Sequence, residues 1–463
     1  MVTAGEGTKR ERHTLTGVSV PAVRAGRPDP DPDPDPVEQV DPADPDPVEH
    51  AESVPDGAAD AARCADPASP RAAGAAPPDR PWRRALFAGG WVWLGTRVAL
   101  AAMSAFAWIG QRQPGISGSE IAHRWATQFD SAHFLAIAAK GYVDSNTEAS
   151  AAFFPAYPLL IRVLTPVALG RDWLAALVIS NVALLAALVL LYRLAEHEFD
   201  RSTANRTIFY LVAFPTALFL TAAYNEGLSI ALAVGAVYAT RLRRWWTAGV
   251  LGALATTTRS AGLLLVLPFC YEYLRTYRWR PRPGALAVAL IPLGLAPIMI
   301  ATASTMHDPL AFEHAQSLNW GRHLDWPWVP VYDGIREVIV TRPGTRFGDV
   351  WAHDLLELGV VLLLAALILL GLVGPLRVRR DQLVFPLYGL ALLVFTITFP
   401  ILHNPRIPFP LYSASRIGIE VFPAFLILGR LGRHPFVDRA VLAGFLGVQG
   451  ILVMQYLGGG WVA

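Results

Sequence analysis

Residues 174–194 read LAALVISNVALLAALVLLYRL, a run in which only Arg193, next to its end, carries a charge. About 20 apolar residues are enough for one helix to cross the hydrocarbon core of a bilayer. Other apolar runs, some of them shorter, occur on both sides of it. The predicted spans are 85–109, 174–194, 207–223, 227–241, 246–258, 260–274, 284–304, 354–373, 383–402, 414–430 and 440–457. The sequence therefore predicts an all-α polytopic membrane protein with about 10–12 transmembrane helices.

Charged residues are few and unevenly distributed. They make up 16% of the 463 residues, whereas 53% are hydrophobic; soluble proteins have about 25% charged residues. Residues 1–80 contain 16 Asp and Glu against 8 Lys and Arg, so the net charge of +2 divides into −8 for this segment and +10 for the rest. This distribution, with only 2 cysteines, excludes a soluble enzyme, a disulfide scaffold and a basic nucleic-acid-binding protein.

The composition of the first 80 residues predicts that they form a region separate from the rest of the chain. Pro28–Pro47 is largely an alternation of aspartate and proline; proline favours extended backbone, and the carboxylates repel one another. We expect residues 1–80 to be a disordered, acidic, Pro/Asp-rich cytoplasmic tail, with partner binding as the alternative. Residues 81–463 are then the transmembrane domain.

Clusters of arginine predict the orientation. They lie near Arg201, Arg241, Arg275, Arg377 and Arg430. All fall on the N-terminal, cytoplasmic side if 246–274 is a hairpin of two short helices and 153–170 lies at the outer surface, as the positive-inside rule requires. The sequence thus predicts a multi-pass protein of the cell membrane with a cytoplasmic N-terminus. Two long external loops, about 110–151 and 305–353, indicate an active site on the extracytoplasmic face.

The first external loop contains a candidate catalytic acid. The stretch IAHRWATQFDSAHFLAIAAKGY, residues 121–142, mixes apolar and polar residues as a helix at the membrane interface does. Asp130 could take the proton of an attacking hydroxyl; the alternative is a solvated acid on an amphipathic helix. His133, three residues on, shares its helix face and either tunes Asp130 or pairs with it.

Two more candidates lie at tight turns between spans. An ionised Glu226 between two membrane spans is energetically unfavourable, so its side chain either pairs with a cation or lines a water-filled cavity. Arg259, at the tip of the predicted hairpin, is a possible partner of Glu226 or a phosphate ligand. For Arg162 the alternatives are an anionic lipid and a position at the headgroups.

The second external loop and the tenth span supply the remaining candidates. Asp325 occurs in HDPLAFEHAQSLNWGRHLDWPW, residues 307–328, where carboxylates alternate with tryptophans. Such a set could line a carbohydrate site, although tryptophans also anchor loops at the bilayer surface. Arg416 opens the tenth span; its guanidinium suits bidentate binding of a lipid phosphate, with interfacial anchoring as the alternative.

Several familiar signatures are missing from the sequence. Outside the acidic tail it contains no Gly-rich nucleotide loop, no HExxH, no DxD-type acid pair and no Cys/His cluster. We therefore predict neither a metal nor another cofactor. If the protein is an enzyme, we expect its donor to arrive dissolved in the membrane.

The order of the motifs resembles the PIG-V-type mannosyltransferases, bacterial relatives of GPI mannosyltransferase II in the GT-C class of membrane glycosyltransferases. The matching blocks are QFDSAHFLAIAAKGY, FFPAYPLLIRVL, FPTALFLTAAYNEGLSIAL, GVLGALATTTRSAGLLLVLP, DPLAFEHAQSLNWGR and SASRIGIEVFPAF. The resemblance implies a GT-C-like bundle, Asp130 as the catalytic base, and a polyprenyl-phosphate mannose donor. It further implies inverting transfer to a glycan, lipid or protein acceptor without a nucleotide or a metal.

A transporter or lipid flippase is the alternative function. A transporter or flippase would share the intramembrane charges and the short helices predicted here. Transporters often contain internal repeats, which this sequence lacks, and both long loops are predicted on one face. The sequence therefore favours the enzyme.

Overall fold

The computed structural model describes residues 80–462 apart from 112–117, 143–146, 341–347 and 401–409. The predicted acidic tail, up to residue 79, lies outside the described residues. Within the described part, all regular secondary structure is helical and no strand occurs. The all-α prediction is therefore confirmed.

The helices of the described residues range from a 3-10 turn of 3 residues to an α-helix of 31 residues. The α-helices are α1 (Pro81–Gln111), α2 (Gly118–Thr127), α3 (Asp130–Lys140), α4 (Thr147–Ser150), α5 (Ala156–Leu164), α6 (Asp172–Glu198), α7 (Arg201–Ala213), α8 (Glu226–Arg241), α9 (Trp245–Thr258), α10 (Val266–Tyr277), α11 (Leu290–Leu293), α12 (Ala296–Met306), α13 (Ala311–Trp320), α14 (Trp328–Val340), α15 (Gly348–Leu372), α16 (Val384–Ile397), α17 (Ala414–Gly418), α18 (Phe422–Leu431) and α19 (Pro435–Leu457). Four 3-10 helices accompany them in the described residues: Ala217–Leu220, Ser260–Leu265, Pro283–Ala289 and Arg380–Gln382.

Six helical stretches of the described chain are long and apolar enough to cross a membrane. They are Pro81–Gly110, Asp172–Glu198, Pro283–Met306, Trp351–Leu372, Arg380–Ile397 and Pro435–Leu457. Each corresponds to one of the predicted spans. The protein is therefore a multi-pass membrane protein.

The other five predicted spans are present as shorter or interrupted helices. The run 207–223 is divided by Pro215, which lacks an amide hydrogen and holds Phe214 outside helical geometry at φ −54°, ψ 142°. The run 414–430 divides into α17 and α18, and Pro423 lies in the first turn of α18. Proline placement, which hydropathy does not register, accounts for both interruptions.

The predicted hairpin of two short helices is confirmed. α9 ends at Thr258, and Arg259 follows in an extended conformation with φ −162° and ψ 141°. The chain then continues through a 3-10 turn into α10. The side chain of Arg259 therefore projects from a sharp reversal between two helices.

The helix of segment 153–170, α5, has only 9 residues, too few for a complete span; the position of this segment at the outer surface stays a prediction. Arg162, for which both alternatives stay predictions, makes contacts that the sequence did not indicate. Its Nε donates to the Ala138 carbonyl at 2.6 Å and its Nη2 to the Ile137 carbonyl at 3.4 Å. A cation at the C-terminal end of α3 stabilises that helix.

α6 is the central helix of the main hydrophobic core. Its residues Leu188 and Leu191 are fully buried, and it packs against α1, α7 and α8. The start of α8 lies so close to α6 that a Cβ added at Gly227 would be 3.2 Å from the Ser180 carbonyl oxygen. Glycine at this position allows the close approach that fixes Glu226.

An ion-pair cluster joins several helices at the other end of α8. Arg241 contacts Glu198 of α6 at 2.7 and 2.9 Å, Glu272 of α10 at 2.8 Å and Asp381 at 3.3 Å. The Arg241 side chain is only 7% exposed, and a buried charge needs such partners. One arginine thus ties three helices and the 3-10 turn before α16 together.

Candidate active site

A cavity of about 780 Å³ lies among the helices of the membrane domain. Its wall includes parts of α3, α8, α13, α16 and α17, the hairpin turn after α9, and the end of the described chain. Five of the six predicted site residues line it: Asp130, His133, Glu226, Arg259 and Arg416. Residues from four regions distant in sequence therefore meet in one place.

Asp130 is positioned by an unusual turn. Phe129, the preceding residue, has φ 54° and ψ −124°, a positive φ that is unfavourable for a residue with a side chain. The turn places Asp130 in the first turn of α3, where the helix dipole favours a negative charge. The Asp130 side chain is 25% exposed, so a cavity ligand has access to it.

Arg416 holds the carboxylate of Asp130 from across the cavity. Its Nη1 lies 2.7 Å from Asp130 Oδ2, and its Nε lies 3.3 Å from Glu226 Oε1. The guanidinium also lies over the rings of Phe219 and Tyr224, with 5.5 Å to each centroid. Aromatic faces stabilise a cation, so the position of Arg416 is determined by several groups at once.

The ion pairs continue beyond Arg416. Arg259 Nη1 contacts Glu226 Oε1 at 3.3 Å and Glu420 Oε1 at 2.9 Å. Asp130, Arg416, Glu226, Arg259 and Glu420 thus form a connected series of alternating charges, here called the charge chain. The pairing of Arg259 with Glu226, one of the two sequence-based alternatives, is confirmed; phosphate binding by Arg259 or Arg416 stays a prediction.

Glu226 lies at the middle of the charge chain. Its side chain is 1% exposed, and it occupies the first turn of α8, again at a favourable helix end. The neighbouring Asn225 donates from Nδ2 to the Thr258 carbonyl at 3.0 Å. This bond fixes the start of α8 against the hairpin turn that carries Arg259.

A buried acid holds Ser415, the residue before Arg416. The backbone N–H of Ser415 donates to Glu357, and the Ser415 hydroxyl donates to Glu357 Oε1 at 3.0 Å. The Ser415 carbonyl accepts a 2.9 Å bond from the Thr216 hydroxyl. Glu357 of α15 is 1% exposed, so it anchors the short helix α17 inside the membrane domain.

His133 lies on the same face of α3 as Asp130. Its ring stacks on Phe153 at 4.6 Å and 13°, and its Nδ1 lies 3.3 Å from the Ser150 hydroxyl. Burial lowers the pKa of His133 below its usual value of 6.5, and the nearby Asp130 charge opposes this only in part. His133 is therefore neutral at neutral pH.

Asp325 is the one predicted site residue that does not line the cavity. Its backbone N–H donates to the Thr398 carbonyl at 3.0 Å, and its Oδ1 accepts from the Trp326 N–H at 2.7 Å. Its Oδ2 is 3.8 Å from His323 Nε2. Asp325 thus ties its loop to the end of α16, whereas His323 lines the cavity.

Several residues of the site were not predicted. Glu357 and Glu420 lie within apolar runs, and the rarity of acids inside membrane helices could have identified both. An aromatic pair at the cavity wall, Tyr412 and Trp461, stacks at 4.7 Å and 12°. Its two members are distant in sequence, so local patterns do not reveal the pair.

The fold and the site define a multi-pass membrane protein with a charged cavity among its helices. Residues 119–279 match the family described as Mannosyltransferase (PIG-V). This range contains four of the five predicted residues that line the cavity, all except Arg416. The resemblance based on the ordered sequence blocks is confirmed over this part of the chain.

Several curated relatives each align with 30% of this chain. GPI mannosyltransferase 2 of Cryptococcus neoformans is 31% identical over 149 residues, which is 30% of this chain and 34% of the relative. GPI alpha-1,6-mannosyltransferase 2 of Rattus norvegicus is 35% identical over 152 residues, and that of Homo sapiens 31% over 150. Each of these two alignments covers 30% of both chains. The chain thus spans about a third of the length of these relatives.

Two solved structures align over larger shares at low identity. ArnT from Cupriavidus metallidurans bound to undecaprenyl phosphate aligns with a TM-score of 0.42 at 16% identity, covering 76% of this chain and 62% of ArnT. The Archaeoglobus fulgidus oligosaccharyltransferase aligns with a TM-score of 0.35 at 14% identity, covering 67% and 48%.

Proposed function

We propose that the protein transfers a mannosyl residue from a polyprenyl-phosphate donor to an acceptor hydroxyl on the extracytoplasmic face, with inversion. The observation that carries the proposal is the Asp130 carboxylate at the cavity wall, fixed through Oδ2 by Arg416 at 2.7 Å. The sequence match to PIG-V mannosyltransferases over 119–279 supplies the class of reaction.

In this reaction Asp130 is the general base. Arg416 occupies Oδ2, so Oδ1 is the oxygen that accepts the proton of the acceptor hydroxyl. The acceptor oxygen bonds to the anomeric carbon as the bond from that carbon to the phosphate oxygen breaks. The proton ends on Asp130, and the donor leaves as a lipid phosphate monoester. Attack opposite the leaving group inverts the anomeric configuration.

The remaining members of the charge chain orient the base. Glu226 shares Arg416 with Asp130 and also contacts Arg259, so a shift of either arginine would displace the carboxylate. The leaving phosphate needs positive charge rather than a proton donor, because preorganised cations stabilise the charge that develops in the transition state.

The test is mannosyl transfer in membranes containing the full chain. Labelled polyprenyl-phosphate mannose is supplied, and label is measured in lipid, glycan and protein fractions. Asp130→Asn keeps the shape of the side chain and removes the base, so we expect about a 10²–10⁴-fold loss of transfer. Asp333→Asn is the matched control; Asp333 is an acid of α14 outside the cavity lining and forms no ion pair with the described residues.

The outcomes separate the alternatives. Label incorporated by the wild type and by Asp333→Asn but not by Asp130→Asn, at equal expression, supports the proposal. Equal incorporation by Asp130→Asn contradicts the role of the base. If no chain incorporates label but the wild type moves labelled lipid between leaflets, the protein is a transporter and the proposed reaction is wrong.

A further inference from the structure

Arg322 lies in the cavity wall at the start of the segment that joins α13 to α14. Its side chain is half-buried. Its backbone N–H donates to the Gln316 carbonyl at 3.2 Å, and its Nη1 donates to the Phe399 carbonyl at 2.9 Å. The guanidinium is therefore held at the point where α13 meets the end of α16.

Among the described residues, Arg322 is the cavity-lining arginine without a carboxylate partner. Arg416 contacts Asp130 and Glu226, and Arg259 contacts Glu226 and Glu420. The only hydrogen-bond acceptor of the Arg322 side chain in the described structure is the neutral Phe399 carbonyl. Its Nε and Nη2 thus remain available for a ligand in the cavity.

The surroundings of Arg322 compensate its charge only in part, since the effects of Tyr412 and Asp130 that raise its pKa are the smaller ones. Burial and the positive charges of Arg416 and Arg259 lower its pKa to about 10. Arg322 is still protonated at neutral pH, since its pKa stays well above 7. A half-buried cation next to two others is unfavourable until an anion binds.

The helix whose end contacts Arg322 carries exposed apolar side chains. α16 belongs to one of the six spanning stretches, and its residues Leu387, Leu390 and Val394 are 43%, 41% and 36% exposed. Their spacing puts them on one face of the helix. Phe395 near the end of this helix and Phe399 just after it line the cavity, and the Phe399 carbonyl accepts a hydrogen bond from Arg322.

We infer that Arg322 binds the phosphate of a lipid phosphate whose alkyl chain lies along the exposed face of α16. The inference rests on the proposed function, for which it assigns the phosphate to a residue other than the two arginines of the charge chain. The guanidinium offers two adjacent N–H groups to the phosphate oxygens. The lipid chain stays in the hydrocarbon region while the sugar extends into the cavity towards Asp130.

The alternative role of Arg322 is to cap the end of α16 through Phe399. A capping arginine would affect stability but not the affinity for a lipid phosphate. Binding and thermal unfolding therefore distinguish the two roles.

The experiment measures binding of polyprenyl phosphate and of inorganic phosphate to the purified full chain. We expect Arg322→Gln to weaken lipid-phosphate binding about 10- to 100-fold, as for other hydrogen bonds to charged groups. Arg322→Lys, which keeps the charge, should weaken it less. Arg336→Gln is the matched control, since Arg336 is an exposed arginine of α14 in the same loop. Inorganic phosphate should bind far more weakly than the lipid.

A second measurement needs no variant at Arg322. Phenylglyoxal modifies arginines, and mass spectrometry reports the modification of each one. Lipid phosphate should slow the modification of Arg322 in the wild type and leave Arg336 unaffected. This protects the conclusion if Arg322→Gln does not fold.

Wild-type affinity in a folded Arg322→Gln variant, or unprotected Arg322 in lipid-saturated protein, overturns the inference. Equal affinity for inorganic phosphate and polyprenyl phosphate overturns the conclusion that the lipid chain contributes to binding. Asp130→Asn should bind the lipid phosphate normally while losing transfer. Arg322-dependent binding without any transfer by the wild type would therefore contradict the proposed function and leave the inference standing.

Discussion

Ser415 gives both its backbone N–H and its hydroxyl to the carboxylate of Glu357, with 3.0 Å between the hydroxyl and Oε1. The next residue, Arg416, is the one that holds Asp130. An acid buried in α15 therefore determines where the proposed catalytic base lies, although it does not itself line the cavity.

Replacing Glu357 should reduce transfer by displacing Arg416. Glu357→Ala leaves the Ser415 N–H and hydroxyl without their acceptor, at about 1–3 kcal/mol for each buried group left unpaired. We expect about a 10-fold or larger fall in mannosyl transfer together with a lower melting temperature. Glu357→Gln keeps one acceptor oxygen and should recover most of both quantities. Equal transfer by Glu357→Ala and wild type would show that Arg416 is held without Glu357.

The contact between α8 and α6 predicts contrasting effects of two glycine substitutions. In Gly227→Ala the new Cβ would lie 3.2 Å from the Ser180 carbonyl oxygen, and two packed backbones cannot separate freely. We expect a loss of stability of about 1–3 kcal/mol, as in other overpacked sites. Gly359→Ala is the matched control, because no atom lies within 4 Å of its added Cβ. Thermal unfolding in detergent compares the two, and an equal effect would contradict the close contact.

His133 should make stability depend on pH. Burial lowers its pKa below 6.5 in the folded protein, so the unfolded chain binds a proton that the folded chain does not. Stability is then fully present above pH 6.5 and falls as the pH decreases through the window below it. His133→Phe, which retains an aromatic ring to stack on Phe153, should reduce the drop in melting temperature between pH 7.5 and 5.5.

The control for His133 is His434→Gln, which changes an exposed histidine. It should leave the pH dependence as in the wild type. An unchanged drop in His133→Phe would assign the pH dependence to other groups.

The Arg241 cluster should be essential for the stability of the fold and not for substrate binding. Arg241→Gln would leave Glu198 buried without its cation and Glu272 with Arg275 as its remaining partner. Loss of one member of a buried pair costs about 3–5 kcal/mol in comparable cases. Arg244→Gln removes an exposed arginine three residues away and should change the melting temperature little. Protein yield and thermal unfolding report the difference; similar values for the two variants would mean that the acids find other partners.

The sequence predicts local relationships well and distant ones poorly. Asp130 and His133 are three residues apart on one helix, and both line the cavity as the spacing indicated. The hairpin at Arg259 follows from two short apolar runs around a polar turn. The pairing of Arg416 with Asp130 joins regions far apart in the chain, and neither hydropathy nor spacing specifies which helices come together.

For the same reason, the sequence does not show which arginines could bind a phosphate. Sequence patterns suggest that a guanidinium at a helix end could bind phosphate, but they do not show which arginines are already paired. Arg416 and Arg259 are each shared between two acids, whereas the one side-chain acceptor of Arg322 in the described part of the chain is a carbonyl. Only the tertiary structure separates these two kinds of arginine.

The charge chain has one more acid than it has arginines: Asp130, Glu226 and Glu420 against Arg259 and Arg416. In the proposed reaction, Asp130 loses its negative charge on taking the proton, and the departing phosphate gains one as a diester becomes a monoester. The total charge of the cavity is therefore the same before and after the transfer. The net charge is conserved with no ion drawn in from solution, because one negative charge passes from Asp130 to the lipid product.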